Sequence, residues 1–305
     1  MQIVTYNELK SKDGLLPLFD HAFRWPFSQR TFDSFVKSDP RSKDSPIGFC
    51  AVEDDCPVGF VGVLNLPTRT LDGTVEVVGG IYGVATLPSH VKKGVSTLLM
   101  NTAHEHFEEK EFRFSFLTTS RTFIAHAFYE KLGYTDIVQY PSAYKSLVHK
   151  KSEVSRARKT AKMDLDRILK IYNRYVQGRA GFVVRDIAHL KMLKKREGIT
   201  ARQCMMADEG YAIFRKDREG VWVKELVALN ARTMEKLVSE IERQAKDVVY
   251  DRIVLDDALR GVYGSRGYMI HRESHSVLMA KPLTTNASLK QAYGDRFYIA
   301  ALDWF

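Results

Sequence analysis

The sequence predicts a mixed α/β fold that contains a parallel strand pair and occurs twice along the chain. Three observations carry this. Strand and helix patterns alternate, with at least one crossover long enough to join parallel strands. The 305 residues are about twice a typical domain length. A local echo links the halves: Phe128-Tyr129-Glu130-Lys131-Leu132-Gly133-Tyr134 and Val262-Tyr263-Gly264-Ser265-Arg266-Gly267-Tyr268 share Tyr-x3-Gly-Tyr at matching places in the element order, as internal repeats do.

The elements follow in order. The N-terminus reads as a strand, and Asn7 to Phe23 as its exit followed by an amphipathic helix. Ser38 to Pro46 is a polar loop. Gly48 to Glu53 and Pro57 to Leu64 form a hairpin across Asp54-Asp55. Thr74 to Val78 and, after a glycine pair, Ile81 to Thr86 read as strands. From about Gly94 a helix places Val95, Leu98, Leu99, Thr102 and Ala103 on one apolar-leaning face. Phe112 to Thr118 alternates as a strand, 121–132 is a helix stopped by Gly133, and a strand starts at Tyr134. The charged segment 150–155 is a linker. Beyond it lie a helix from Asp164 to Val176, a hairpin over Asp217 to Gly220, a helix from Thr233 to Lys246 and a strand from Arg252 to Leu255.

Composition narrows the class. The apolar fraction of 45% and charged fraction of 27% are those of an ordinary soluble globular protein. No apolar run approaches a membrane span, and the first residues lack the basic and apolar regions of a signal peptide. Cys50, Cys56 and Cys204 have neither zinc nor redox spacing. His104 and His106 stand on different helix faces, so no metal is expected. These readings place the protein in the cytoplasm. Net charge is +9, with 16 Lys and Arg against 17 Asp and Glu up to residue 150, so the excess sits in the second half. A basic half can meet nucleic acid, an acidic partner or a membrane surface. Its charges are dispersed, and the clusters at 156–159 and 191–196 carry no interleaved aromatics to stack bases, which favours a solvated basic surface.

The stretch from Gly80 to Leu99 carries the most chemistry: a strand, a tight basic loop, then a helix start. Orphan N–H groups at a helix start, with the dipole behind them, make an anion site. Gly94 allows close backbone approach, and Lys92 and Lys93 add mobile positive charge. Neither a Walker loop nor Gly-x-Gly-x-x-Gly is present.

This stretch resembles motif A of the GNAT acyltransferase superfamily, Val-x-Pro-x-x-(Gln/Arg)-x-x-Gly-x-(Gly/Ala). Val84, Pro88, Gly94 and Leu98-Leu99 fit; Val91 stands in place of the Gln or Arg, and Ser96 in the last small position. Ala125 to Tyr134 resembles motif B at the usual separation. The resemblance implies an α+β sheet, mostly antiparallel, with one splayed parallel pair and flanking helices.

A closer resemblance covers most of the chain. Tandem GNAT domains, the first with Pro88-x-His90-x-x-x-Gly94 and the second without such a loop, are similar to the enhanced intracellular survival (Eis) acetyltransferases. No glycine occurs from Val221 through Arg260, so the second copy lacks a phosphate cradle. The chain departs from that family because too few residues follow Lys281-Pro282 for its sterol-carrier-like third domain. The expected division is a catalytic GNAT domain over 1–150, a degenerate second copy over 151–282 and a tail over 283–305 docking towards the first.

What the resemblance implies about the site is specific. The cosubstrate is acetyl-CoA, and the activity is N-acetyl transfer to a primary amine, on a small molecule or a lysine, in a ternary complex. Val84, Ala85 and Thr86 would hold the pantetheine; Lys92, Lys93, Gly94, Val95, Ser96 and Thr97 the pyrophosphate; Ser120 and Arg121 would also touch the cofactor. Tyr129 would be the acid that protonates the departing thiolate. The base would be the α-carboxylate of Phe305, as at the aromatic C-terminus of Eis enzymes, or Glu76, on the strand before the splay. An amine is mostly protonated at neutral pH, so a carboxylate must remove a proton before attack. Ala22 to Phe27 corresponds to an acceptor-side loop, and His271 and His275 read as structural. The alternatives are a non-catalytic acyl-CoA-binding or nucleic-acid-associated protein, which would use the basic second half, and a purely structural tandem scaffold. No membrane partner is expected, and a homo-oligomer stays open.

Overall fold

The structure, a computed structural model, describes residues 1–24, 28–147, 163–272 and 276–305. The expected linker, the basic cluster at 156–159, positions 25–27 of the aromatic loop and His275 lie outside the described residues. The chain forms two compact units. Unit 1 comprises Met1–Ile137, Leu278–Asp295 and Phe305; unit 2 comprises Val138–Val277 and Arg296–Trp304. The expected ranges 1–150, 151–282 and 283–305 are continuous in sequence, whereas both units are not. Each takes a segment from the other's side of the chain.

Unit 1 runs β1 (Gln2–Thr5), α1 (Leu15–Phe23), α2 (Gln29–Ser38), β2 (Gly48–Glu53), β3 (Cys56–Arg69), β4 (Val75–Thr86), α3 (Val95–Glu109), β5 (Phe114–Ser120), α4 (Ile124–Lys131) and β6 (Thr135–Gln139). Strands β1 to β4 pair antiparallel, and β4 pairs β5 in parallel. The hairpin turn is as expected: Asp54 and Asp55 both adopt positive φ, the conformation a tight two-residue hairpin demands. The two expected strands around Gly79-Gly80 are a single strand, β4. A Cβ on Gly79 would fall 2.4 Å from the Phe107 ring, so the glycine lets α3 lie close on the sheet. On the other face Leu15, Leu18 and Phe19 of α1 pack with Cys50 and Phe60.

Unit 2 runs β7 (Ser142–Ser146), α5 (Leu165–Tyr175), β8 (Ala180–Gly181), α6 (Ile187–Arg196), β9 (Cys204–Ala207), β10 (Gly210–Lys216), β11 (Gly220–Ala228), α7 (Ala231–Gln244), β12 (Val248–Asp251), α8 (Asp257–Ser265) and β13 (Met269–His271). The chain continues through β14 (Ser276–Pro282) and α9 (Leu289–Tyr293), whose residues from Leu278 on belong to unit 1, and ends with β15 (Phe297–Tyr298) in unit 2. The sheet order is β13-β7-β12-β11-β10-β9, with β11 and β12 parallel. The expected strand from Arg252 to Leu255 lies four residues earlier, as β12. Its last partner on β11 is Val223, opposite Asp251, and 252–255 continue without strand pairing.

The echo between the halves is a shared structure. Helices α4 and α8 end on glycines in the left-handed region, Gly133 at φ 89° and Gly267 at φ 77°. In each, the following tyrosine N–H donates back to the helix tyrosine: Tyr134 to Tyr129 at 3.1 Å and Tyr268 to Tyr263 at 3.0 Å. This is the six-to-one closure of a Schellman end, which explains why Tyr-x3-Gly-Tyr recurs. The plan repeats as well: β4–α3–β5 and β11–α7–β12 both link parallel strands through a helix. Next to the second parallel strand sits β14 in unit 1 and β7 in unit 2.

Candidate active site

The site in unit 1 begins with a defect in β4. Tyr82 pairs with Gly62 and Ala85 with Phe60, so β4 carries one residue more than β3 between these pairs. Gly83, at φ 61°, lies in this bulge. A bulge bends its strand and sharpens its twist. The parallel pairing of β4 with β5 stops just before it, at Ile81 opposite Leu117. Beyond that point the strands separate, leaving main-chain groups of Val84 to Thr86 on one side and Thr118 to Ser120 on the other.

The helix start comes next. Gly94 precedes α3 with φ 82°, and no side chain caps the helix. A Cβ there would meet nothing within 4 Å, so the glycine is needed for its backbone angle, and open space lies before it. The first-turn N–H groups of Val95, Ser96 and Thr97 have no acceptors four residues back. Thr86 Oγ1 and Ser96 Oγ are 2.7 Å apart, which ties the end of β4 to the helix start. The intervening loop is pinned by His90, whose Nε2 lies 2.6 Å from Glu53 Oε2. Lys92, at φ 64°, and Lys93 are exposed beside Gly94. The Val91 side chain is 53% exposed and offers no donor. These residues fit a diphosphate: open N–H groups, the positive end of a helix dipole and two mobile ammonium groups.

Tyr129 lies on α4, which packs on β5; it is 7% exposed, and burial pushes its phenol up to about 12. The group therefore holds its proton at neutral pH, as a donor must. Thr118, the first residue past the last parallel pair, was not singled out in the sequence. Its Oγ1 donates to the main-chain oxygen of Phe305 at 2.9 Å. The signal for it is topological, since only the strand register reveals where β5 leaves β4. Ser120 Oγ lies 2.9 Å from Thr122 Oγ1, and Arg121 Nε donates to Asp136 at 2.7 Å.

Glu76 is not brought to this place. It sits near the opposite end of β4, three residues before the first parallel pair at Gly79. Arg113 donates to both its oxygens, at 2.7 and 2.9 Å, and Tyr293 Oη donates at 2.6 Å. This carboxylate is thus engaged by two partners several residues from the splay.

The corresponding places in unit 2 are closed. Only Leu229 and Asn230 separate β11 from α7, and Asn230 Oδ1 accepts the Thr233 N–H at 2.8 Å, so the helix start is capped by its own side chain. The gap between the ends of β11 and β12, lined by Glu225, Asp251, Tyr298 and Ala300, has a volume of about 20 Å³, room for about one water.

Residues 12–134 match the model of the acetyltransferase (GNAT) family. The match lies within unit 1. Solved structures extend the likeness in fold beyond it. A GCN5-related N-acetyltransferase from Kribbella flavida is 17% identical, with 92% of this chain and 72% of that chain covered at a TM-score of 0.68. A GCN5-related N-acetyltransferase from Anabaena variabilis is 16% identical, with 93% and 73% covered and a TM-score of 0.63. Eis1 from Mycobacterium abscessus is 16% identical, with 84% and 72% covered and a TM-score of 0.55. No curated protein matches the sequence. Among the described residues, no helix is long and apolar enough to cross a membrane.

Proposed function

We propose that the protein is an acetyl-CoA-dependent N-acetyltransferase acting on a primary amine by direct transfer in a ternary complex. The observation that carries this reading is the uncapped start of α3 at Gly94, set beside a β4 bulge where the GNAT domain's parallel strands part. The N–H groups of Val95 to Thr97 and the ammonium groups of Lys92 and Lys93 hold the pyrophosphate. Main-chain groups of Val84 to Thr86 line the pantetheine and polarise the thioester oxygen, with Ser120 and Arg121 at the far end. Acetyl-CoA supplies the acyl group and the thiolate leaving group.

In this reading the α-carboxylate of Phe305, the last residue of this sequence, takes a proton from the ammonium form of the acceptor, and Thr118 orients it. Tyr129 returns a proton to the thiolate. Phe305 is preferred over Glu76 because Glu76 is engaged by Arg113 and Tyr293 away from the splay. Unit 2 is a second GNAT-like copy without a cofactor site, because its helix start is self-capped. The reaction belongs to the cytoplasm, and the acceptor is an amine of a small molecule or a peptide lysine.

Calorimetric titration of acetyl-CoA tests the central point. One site per chain is expected for the native protein and none for Gly94→Asp, which strains the backbone and sets a carboxylate in the anion site. Two sites, or unchanged binding by the variant, would overturn the reading.

A further inference from the structure

Among the described residues, the sheet of unit 2 carries an uncovered row of aromatic residues. The register places Arg215 opposite Trp222, Trp222 beside Tyr250, Tyr250 opposite Tyr144 and Tyr144 opposite Met269, across five consecutive strands. Their strand neighbours Ala143, Phe214, Val221, Val223 and Val249 face the core formed with α7 and α8. Alternation therefore turns the row to the other face. Among the described residues, helices α5 and α6 pack on that face over Tyr211, Ile213 and Val227. Trp222 is 42% exposed and Met269 59%, Arg215 is exposed, and Tyr144 and Tyr250 are half-buried. Unit 1 treats its equivalent face differently: Tyr293 of α9 packs on Phe114 and Phe116 with ring centroids 5.7 and 6.0 Å apart.

The exposed strand charge at the edge of the row is basic. The strand positions flanking the row hold Arg215 and His271, and Arg252 follows β12 with its guanidinium 4.7 Å from the Trp304 ring centroid. Among the described residues the one carboxylate on a strand position of this side, Glu225 opposite Ile213, is buried and bound by Arg185. The nearest acid is Asp217 in the turn, which accepts the Trp222 indole N–H at 2.6 Å and steadies the ring. An identical face on a second copy would bring like charges together, which disfavours self-association. Trp222 and Tyr250 meet edge to face with ring centroids 5.1 Å apart, and a row of aromatic rings on neighbouring strands, with cations at its margin and an overall basic half behind it, suits a chain of flat bases joined by phosphates.

We propose that this face of unit 2 binds single-stranded nucleic acid, with Trp222, Tyr250 and Tyr144 stacking bases and Arg215 contacting a phosphate. The proposal stands independently of the acetyltransferase reading. It is a surface the sequence could not display, because its aromatics come from three strands distant in the chain.

The test is fluorescence polarisation of short labelled oligo(dT) and oligo(U) with the full chain over a salt series. Binding that weakens with salt is expected, with quenching of Trp fluorescence. Trp222→Ala and Tyr250→Ala should each weaken binding about tenfold. Trp222→Phe should retain most of it, and Arg215→Gln should reduce the salt slope by about one. Thermal melts and acetyl-CoA binding of the variants should match the native protein. Three results would overturn the proposal: no binding at low salt, binding untouched by both alanine variants, or equal binding and competition by an acidic peptide.

Discussion

Tyr129 and Glu76 show how surroundings decide what an ionisable side chain is free to do. Tyr129 has only burial acting on it, so its proton is retained far above neutral pH. Tyr129→Phe should lower kcat by about a hundredfold, the low end of general acid catalysis, while acetyl-CoA affinity stays the same. Because the phenol titrates near 12, native kcat should show no loss from its ionisation up to pH 10. Glu76→Gln should leave kcat within a factor of two or so and lower the melting temperature instead, because Arg113 loses its ion pair and one of its two acceptor oxygens. A large fall in kcat for that variant at normal stability would restore Glu76 as the base. Both residues were visible as candidates in the sequence. Their separation was not, since it depends on where along β4 the parallel pairing ends.

At the scale of elements, unit 2 holds two buried charge arrangements with opposite consequences. Arg185, 7% exposed, joins Glu225 at 2.7 and 3.1 Å and Asp303 at 2.7 and 3.0 Å, fixing the segment after β15 against β11. Burial alone would raise the Asp303 carboxyl, yet Arg185 and His189 hold it well below the usual range. The native state therefore gains from this carboxylate above the ordinary carboxylate pKa, and the gain is lost as pH falls through the lowered one. Arg185→Met strands two carboxylates and should cost about 3–5 kcal/mol; in thermal melts the deficit should shrink on acidification as Asp303 protonates. Asp251 behaves the other way. Burial raises it to about 7, against the lowering bonds from Tyr263 Oη and the Ile253 N–H. Between its ordinary value and about 7 the native state binds more protons than the unfolded chain, so this group makes stability fall as pH rises. Asp251→Asn should raise the melting temperature at pH 8 and change it little at pH 5. An equal effect at both values would contradict this account.

For the molecule as a whole, the local signals survived and the long-range ones did not. Asp54-Asp55, the Gly94 helix start and the Tyr-x3-Gly-Tyr helix ends were legible because each depends on a few adjacent residues and their backbone angles. So were the alternation of strands and helices and the duplication they imply. The unbroken β4, the place of β12 and the discontinuous units were not, because each is set by a partner far away in sequence: the Phe107 ring over Gly79, the β11 register, or a strand from the opposite end of the chain. The sequence alone determined that a glycine with two lysines beside it, Lys92-Lys93-Gly94, starts the helix after β4, and that no glycine occurs from Val221 through Arg260. Tertiary structure decided that Thr118 meets Phe305, that Glu76 is held elsewhere, and that Trp222, Tyr250 and Tyr144 share one face. Strand register brings such side chains together, and register depends on pairing across the whole sheet, which no local stretch of sequence specifies.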